Sequence, residues 1–105
     1  MITRKVAPAL AAGCPVVIKP AASTPFTATA LVELANRAGV PKGVVNFVYG
    51  RGHTVGKLLS SNKKIDMISF TGSVETGSAI MSEAAKNITK VNLELGGKSS
   101  STCFI

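Results

Sequence analysis

Four short stretches of this 105-residue chain set reactive or ligand-binding residue types at the ends of apolar runs. Phe70-Thr71-Gly72-Ser73 leads straight into a helical pattern. Unpaired backbone N–H groups and the positive end of the dipole there favour a phosphate. Gly72 permits close approach, and Ser73 offers a hydroxyl or a cap. Gly77, one turn later, removes a side chain that would crowd a ligand or a packed strand. An ordinary capped helix uses the same residues, so the glycine pair alone does not separate the two readings. Lys19 follows the β-branched run Val16-Val17-Ile18. A lysine there either meets a counter-charge, ribose or phosphate, or snorkels out at the strand mouth. Glu94 stands between Leu93 and Leu95, just before Gly96-Gly97. Desolvation in such a setting suits a carboxylate for general-base work, whereas pairing with Lys98 makes it structural. Gly50-Arg51-Gly52 with Gly56 is permissive backbone ahead of a helix and does not match the GxGxxG fingerprint.

The elements that must hold these residues alternate between helix and apolar strand, with Gly and Pro at the joints. Ile2, Val6 and Leu10 recur at helical spacing up to Gly13, followed by a strand at Val16–Ile18. Ser23 or Thr24 is expected to cap a helix with Pro25 in its first turn, carrying Phe26, Ala30, Leu31, Leu34, Ala35 and Ala38 on one face and ending at Gly39. Val44 to Val48 reads as a second strand, Thr54 to Ser60 as a short helix, and Met67 to Phe70 as a third strand buried on both faces. A helix through Val74, Ile80, Met81 and Ala84 precedes an alternating strand at Val91, Leu93 and Leu95. The pattern is one of βαβ units, an α/β fold with a parallel sheet. Residues 99–105 leave no room for another unit, so the domain is expected to be incomplete. Parallel sheets bind ligands at the C-terminal ends of their strands, which predicts that the loops at 19–25, 50–56 and 71–77 are neighbours along one rim.

Composition narrows the function. With 46% hydrophobic residues the chain can build a core, and no apolar run approaches the roughly 18 residues of a membrane span. No secretory leader is evident. Cys14 and Cys103 lie far apart and outside any CxxC spacing, so neither a zinc site nor a disulfide framework is indicated, and a cytosol or mitochondrial matrix fits. Neither cysteine has an adjacent His or basic cluster to activate it. The net charge of +7 is scattered, with one Tyr and no Trp to stack bases, so a solvated basic surface is favoured over nucleic-acid binding. His53, the single histidine, sits in a loop and reads as solvated.

Taken together, Val17-Ile18-Lys19-Pro20, Gly50-Arg51-Gly52, Phe70-Thr71-Gly72-Ser73 with Gly77, and Leu93-Glu94-Leu95-Gly96-Gly97-Lys98 resemble the aldehyde dehydrogenase superfamily in order and spacing. The resemblance covers nearly all of Met1 to Lys98. Ala21-Ala22-Ser23-Thr24-Pro25-Phe26 and the run from Glu33 to Pro41 look most like succinate-semialdehyde dehydrogenases, with lactaldehyde-type enzymes close behind. The resemblance implies a Rossmann-like parallel sheet with helices on both faces, here a partial NAD(P)-binding domain. It implies oxidation of an aldehyde to an acid through a cysteine thiohemiacetal, hydride transfer to NAD or NADP, and thioester hydrolysis, in enzymes that are homo-oligomeric. Lys19 matches the position contacting the adenosine ribose, Gly52 the adenine pocket, and Ser73, beside Gly72, the pyrophosphate contact. Thr71 and Leu95 match the flanks of the nicotinamide, and Glu94 matches the general base.

Three departures matter. Ala22 replaces the glutamate with which NAD-preferring relatives bind the ribose hydroxyls, so a 2′-phosphate meets no repulsion and NADP is at least tolerated, with Lys19 and Ser23 available to help. The family's oxyanion-donating Asn is expected before Met1, and its nucleophilic Cys about thirty residues beyond Glu94; Cys103 does not match it. The isolated chain is therefore expected to be inactive, and aggregation-prone through exposed sheet edges and apolar helix faces. The alternative is a non-catalytic nucleotide-binding or interaction module, or a degenerate remnant.

Overall fold

A computed structural model describes residues 1–96, and Gly97, Lys98 and Cys103 lie outside the described residues. The chain divides into two compact units, residues 1–59 and 60–105.

In the first unit, helix α1 (Ile2–Ala11) leads to strand β1 (Val16–Ile18), helix α2 (Phe26–Arg37) and strand β2 (Val45–Phe47). β1 and β2 pair in parallel, Val16 with Val45 and Ile18 with Phe47. The ladder extends from Val16 N–H to Val44 O at 2.8 Å through to Val48 N–H to Ile18 O at 3.0 Å. α1 lies against β1 and α2 against β2, the βαβ arrangement expected from the sequence. Both helices end as their glycines dictate. Gly13 donates to Leu10 O and Cys14 to Ala9 O; Gly39 donates to Asn36 O and Val40 to Ala35 O. These are Schellman closures, with Gly13 and Gly39 at positive φ of 75° and 84°.

The start of α2 differs from expectation. Neither Ser23 nor Thr24 caps it; Pro25 is the N-cap, in the αR region, with no side-chain cap bond. A turn closed by Thr24 N–H to Ala21 O carries residues 21–24 away from the helix start. Arg51 then opens a π-helical turn, Gly52–Gly56, which runs into helix α3 (Lys57–Ser60). The expected short helix is present, with a wider first turn.

In the second unit, strand β3 (Met67–Gly72), helix α4 (Val74–Ala85) and strand β4 (Lys90–Leu95) form another parallel βαβ unit. α4 packs on both strands. Along β3, Ile68 and Phe70 are half-buried while Met67, Ser69 and Thr71 are exposed; β4 alternates likewise. The expectation that both faces of β3 are buried is therefore corrected, because α4 covers one face and no described residue of this unit covers the other. α4 closes with the same hydrogen bonds as α1 and α2, Ile88 N–H to Ala85 O and Thr89 N–H to Ala84 O. Here a β-branched residue, Ile88, holds the left-handed position at φ 57°.

Among the described residues the buried hydrophobic ones are Ile18, Ala28 and Ala84, and no large side chain is fully enclosed. Phe26 is 85% exposed and Ile88 91%. The apolar surface anticipated from the sequence is thus open among the described residues.

Candidate functional site

In the second unit the parallel register does what sequence spacing alone cannot. Thr71 pairs with Glu94 and Gly72 with Leu95. All five predicted residues of this unit, Thr71, Gly72, Ser73, Glu94 and Leu95, therefore stand at the C-terminal end of one strand pair. Alternation puts Thr71 and Glu94 on the open face of the sheet, and Phe70, Leu93 and Leu95 on the face that receives α4. Glu94 is exposed, which corrects the expectation of a desolvated carboxylate: its face is the one α4 leaves uncovered.

Ser73 caps α4 from an extended conformation (φ −71°, ψ 153°), its Oγ accepting from Thr76 N–H at 3.2 Å and donating to Thr76 Oγ1 at 2.9 Å. The cap satisfies one donor of the helix start and leaves the N–H groups of Val74 and Glu75 directed out of the first turn. Glu75 adds a carboxylate to that turn and already complements the dipole, so a phosphate there is accommodated without being demanded. Gly77 is buried. A Cβ on it would stand 2.6 Å from Leu95 Cδ2, so any side chain there would force the leucine to move. The glycine therefore serves the packed strand, one of the two readings its position allowed, and seats Leu95 under the helix start. The Phe70 ring occupies the space beside Gly72, 2.4 Å from where a Cβ would be.

In the first unit the predicted residues also collect at strand ends. Lys19, half-buried, follows β1 and donates from Nζ to Pro20 O at 2.8 Å. Its Cε lies 3.7 Å from where a Cβ on Gly56 would stand, so the loop after β1 meets the turn after β2. Ala22 is exposed on the first loop and Gly52 on the second. A Cβ on Gly52 would meet nothing within 4 Å, so nothing in the described chain requires glycine there. Gly50, at φ 150°, has Val55 packed where its side chain would be. Cys14 is exposed, and His53 is exposed within the Gly52–Gly56 turn. Sequence reading did not anticipate the π-helical turn, nor that Arg51 and Lys57 would bracket it.

Two open depressions among the described residues lie elsewhere. One, of about 270 Å³, is lined by Thr29, Val32, Glu33, Asn36, Phe47 and Tyr49 in the first unit. The other, of about 350 Å³, is formed by Met81, Ala85, Ile88, Thr89 and Val91 in the second. Neither contains a residue singled out for chemistry.

The sequence model of the aldehyde dehydrogenase family matches residues 1–104. This chain belongs to the aldehyde dehydrogenase family. It is 60% identical over 97 residues to the NADP(+) succinate-semialdehyde dehydrogenase GabD of Escherichia coli (strain K12), covering 92% of this chain and 20% of that protein. The crystal structure of lactaldehyde dehydrogenase from Escherichia coli superposes with a TM-score of 0.91 at 55% identity, over 93% of this chain and 20% of the other. A betaine aldehyde dehydrogenase variant from Staphylococcus aureus, in complex with NAD+, gives 0.89 at 48% identity, over 91% and 19%. The chain thus spans about a fifth of the length of the relatives it matches. Among the described residues no helix is long and apolar enough to cross a membrane.

Proposed function

We propose that this chain supplies the dinucleotide-binding strand ends and the general-base carboxylate of an NAD(P)-dependent aldehyde dehydrogenase. The observation that carries the reading is the register of Thr71-Gly72 against Glu94-Leu95, with Ser73 opening a helix beside them. Each unit, taken by itself, offers groups suited to part of a dinucleotide. The start of α4 offers N–H donors to a pyrophosphate, Gly52 leaves open space where a base would lie, and Lys19 offers an ammonium to a ribose or its phosphate. The dinucleotide, when bound, would supply a hydride acceptor for the substrate carbon. With a dinucleotide bound, Thr71 would meet the nicotinamide from the open face and Leu95 would support it from the α4 side at the strand end, Ser73 and Gly72 would hold the pyrophosphate, and Ala22 would set no carboxylate against a 2′-phosphate. Glu94 takes a proton from the nucleophilic thiol or from the water that releases the acid.

Succinate semialdehyde is the proposed aldehyde, supported by the 60% identity to GabD. The relatives named above carry three different aldehydes in their names, so the substrate rests on that one likeness. Their bacterial origin supports a cytoplasmic setting, and gives no support to the mitochondrial one raised by the sequence. By itself the chain is expected to form no reduced nicotinamide from aldehyde, since the resemblance puts nucleophile and oxyanion donor outside it. An aldehyde-dependent absorbance rise lost in Cys103→Ser would contradict this. Calorimetric titration with NADP and NAD tests the binding claim. Saturable heat supports it, and no saturable heat with either removes it.

A further inference from the structure

We propose that Phe70 is a positioning residue of the β3–β4 strand end: its ring fills the space that Gly72 leaves open and so sets the spacing between the start of α4 and the row that carries Thr71 and Glu94. The inference rests on the dinucleotide reading above and gives a role to a residue which that reading does not use. Phe70 and Gly72 stand two apart on β3 and share the face that receives α4. The ring runs along the strand toward the glycine. Its Cε1 and Cε2 lie 3.0 Å and 3.3 Å from where a Cβ on Gly72 would be, with Cζ nearer still. Gly72 is not one of the glycines at positive φ, so its backbone suits any residue. What the position excludes is a side chain, because the tip of the ring is already there.

The packing continues across the strand pair. Gly72 is the register partner of Leu95, whose Cδ1 and Cγ lie 3.0 Å and 3.4 Å from where a Cβ on Gly77 would stand. Two apolar side chains thus occupy the volumes left by two glycines, one just before Ser73 and one a turn after it. A helix start supported at both places keeps its N–H groups at one distance from the strand end that carries Glu94. That spacing matters most to a ligand that reaches both, and less to one that stops short of the strand end. A glycine kept only for the approach of a phosphate predicts something different: a methyl group at position 72 then obstructs every ligand of the helix start, whatever side chain Phe70 carries.

The test uses the 105-residue chain and two probes in calorimetric titrations: NADP, and 2′-phospho-ADP-ribose, which lacks only the nicotinamide. Gly72→Ala displaces the ring. It is expected to weaken NADP binding about tenfold and 2′-phospho-ADP-ribose binding less than about threefold, within the range of coupling between residues in contact. Phe70→Leu should show the same split on a smaller scale. The leucine lacks the ring atoms that meet Gly72, so the double variant Phe70→Leu with Gly72→Ala should bind NADP within about threefold of Phe70→Leu alone. That comparison stands even where Gly72→Ala by itself fails to fold. A larger gap between the double variant and Phe70→Leu, or equal losses of the two probes in the single variants, would overturn the inference and leave the dinucleotide reading standing. Failure of the unaltered chain to bind NADP overturns both.

Discussion

The two βαβ units share a plan and divide the chemistry. Each is a parallel strand pair joined by a twelve-residue helix. The first carries seven Lys and Arg against one Glu; the second carries five against four. The first therefore presents cations at its strand ends, and the second presents a carboxylate, a capped helix start and a glycine shaped to a leucine. The difference teaches that backbone topology decides where functional residues gather, while local side-chain choice decides which part of a ligand they suit. The same contrast appears at the helix ends. α2 and α4 close with identical hydrogen-bond patterns, yet one uses Gly39 and the other Ile88 at the left-handed position.

The comparison can be broken at several points. The largest effect is expected from Ile18→Ala, which truncates the one buried branched aliphatic side chain among the described residues of the first unit and should cost about 2–4 kcal/mol by denaturant unfolding. Gly77→Val should cost about 1–3 kcal/mol by driving a side chain into Leu95, and should weaken dinucleotide binding as Leu95 is displaced. Ile88→Gly should raise stability by about 1 kcal/mol, since glycine relieves the left-handed strain, while Gly39→Ile should lower it by at least as much. A change of the same sign in both would show that the two helix ends are not equivalent. Ser73→Ala should cost about 1 kcal/mol and Ser73→Gly only a few tenths, the pattern of an N-cap. Equal costs would remove the cap from the account.

Much of this was legible in the residues. Gly13 and Gly39 announce their helix ends because only glycine takes that backbone at low cost, and Ser73 announces a helix start because its hydroxyl reaches Thr76 N–H. Other features were not. Ser23 and Thr24 look like caps, but a turn fixed by Ala21 and Thr24 diverts them, an outcome propensity does not encode. β3 reads as buried on both faces because Met67, Ile68 and Phe70 are all apolar; only the position of α4 shows which face is covered. The same ignorance of packing made Glu94 look desolvated. Its pairing with Thr71 required the register, which no spacing along one strand supplies.

The most direct measurement is a titration of the chain with NADP, followed through backbone amide resonances. Shifts are expected to saturate together in Thr71 to Gly77 and in Glu94 to Gly96, two runs distant in sequence and joined by the β3–β4 ladder and the packing of Leu95 on Gly77. Shifts confined to one run, or saturating changes in neither, would contradict the assignment of this strand end as the place where a dinucleotide meets Glu94.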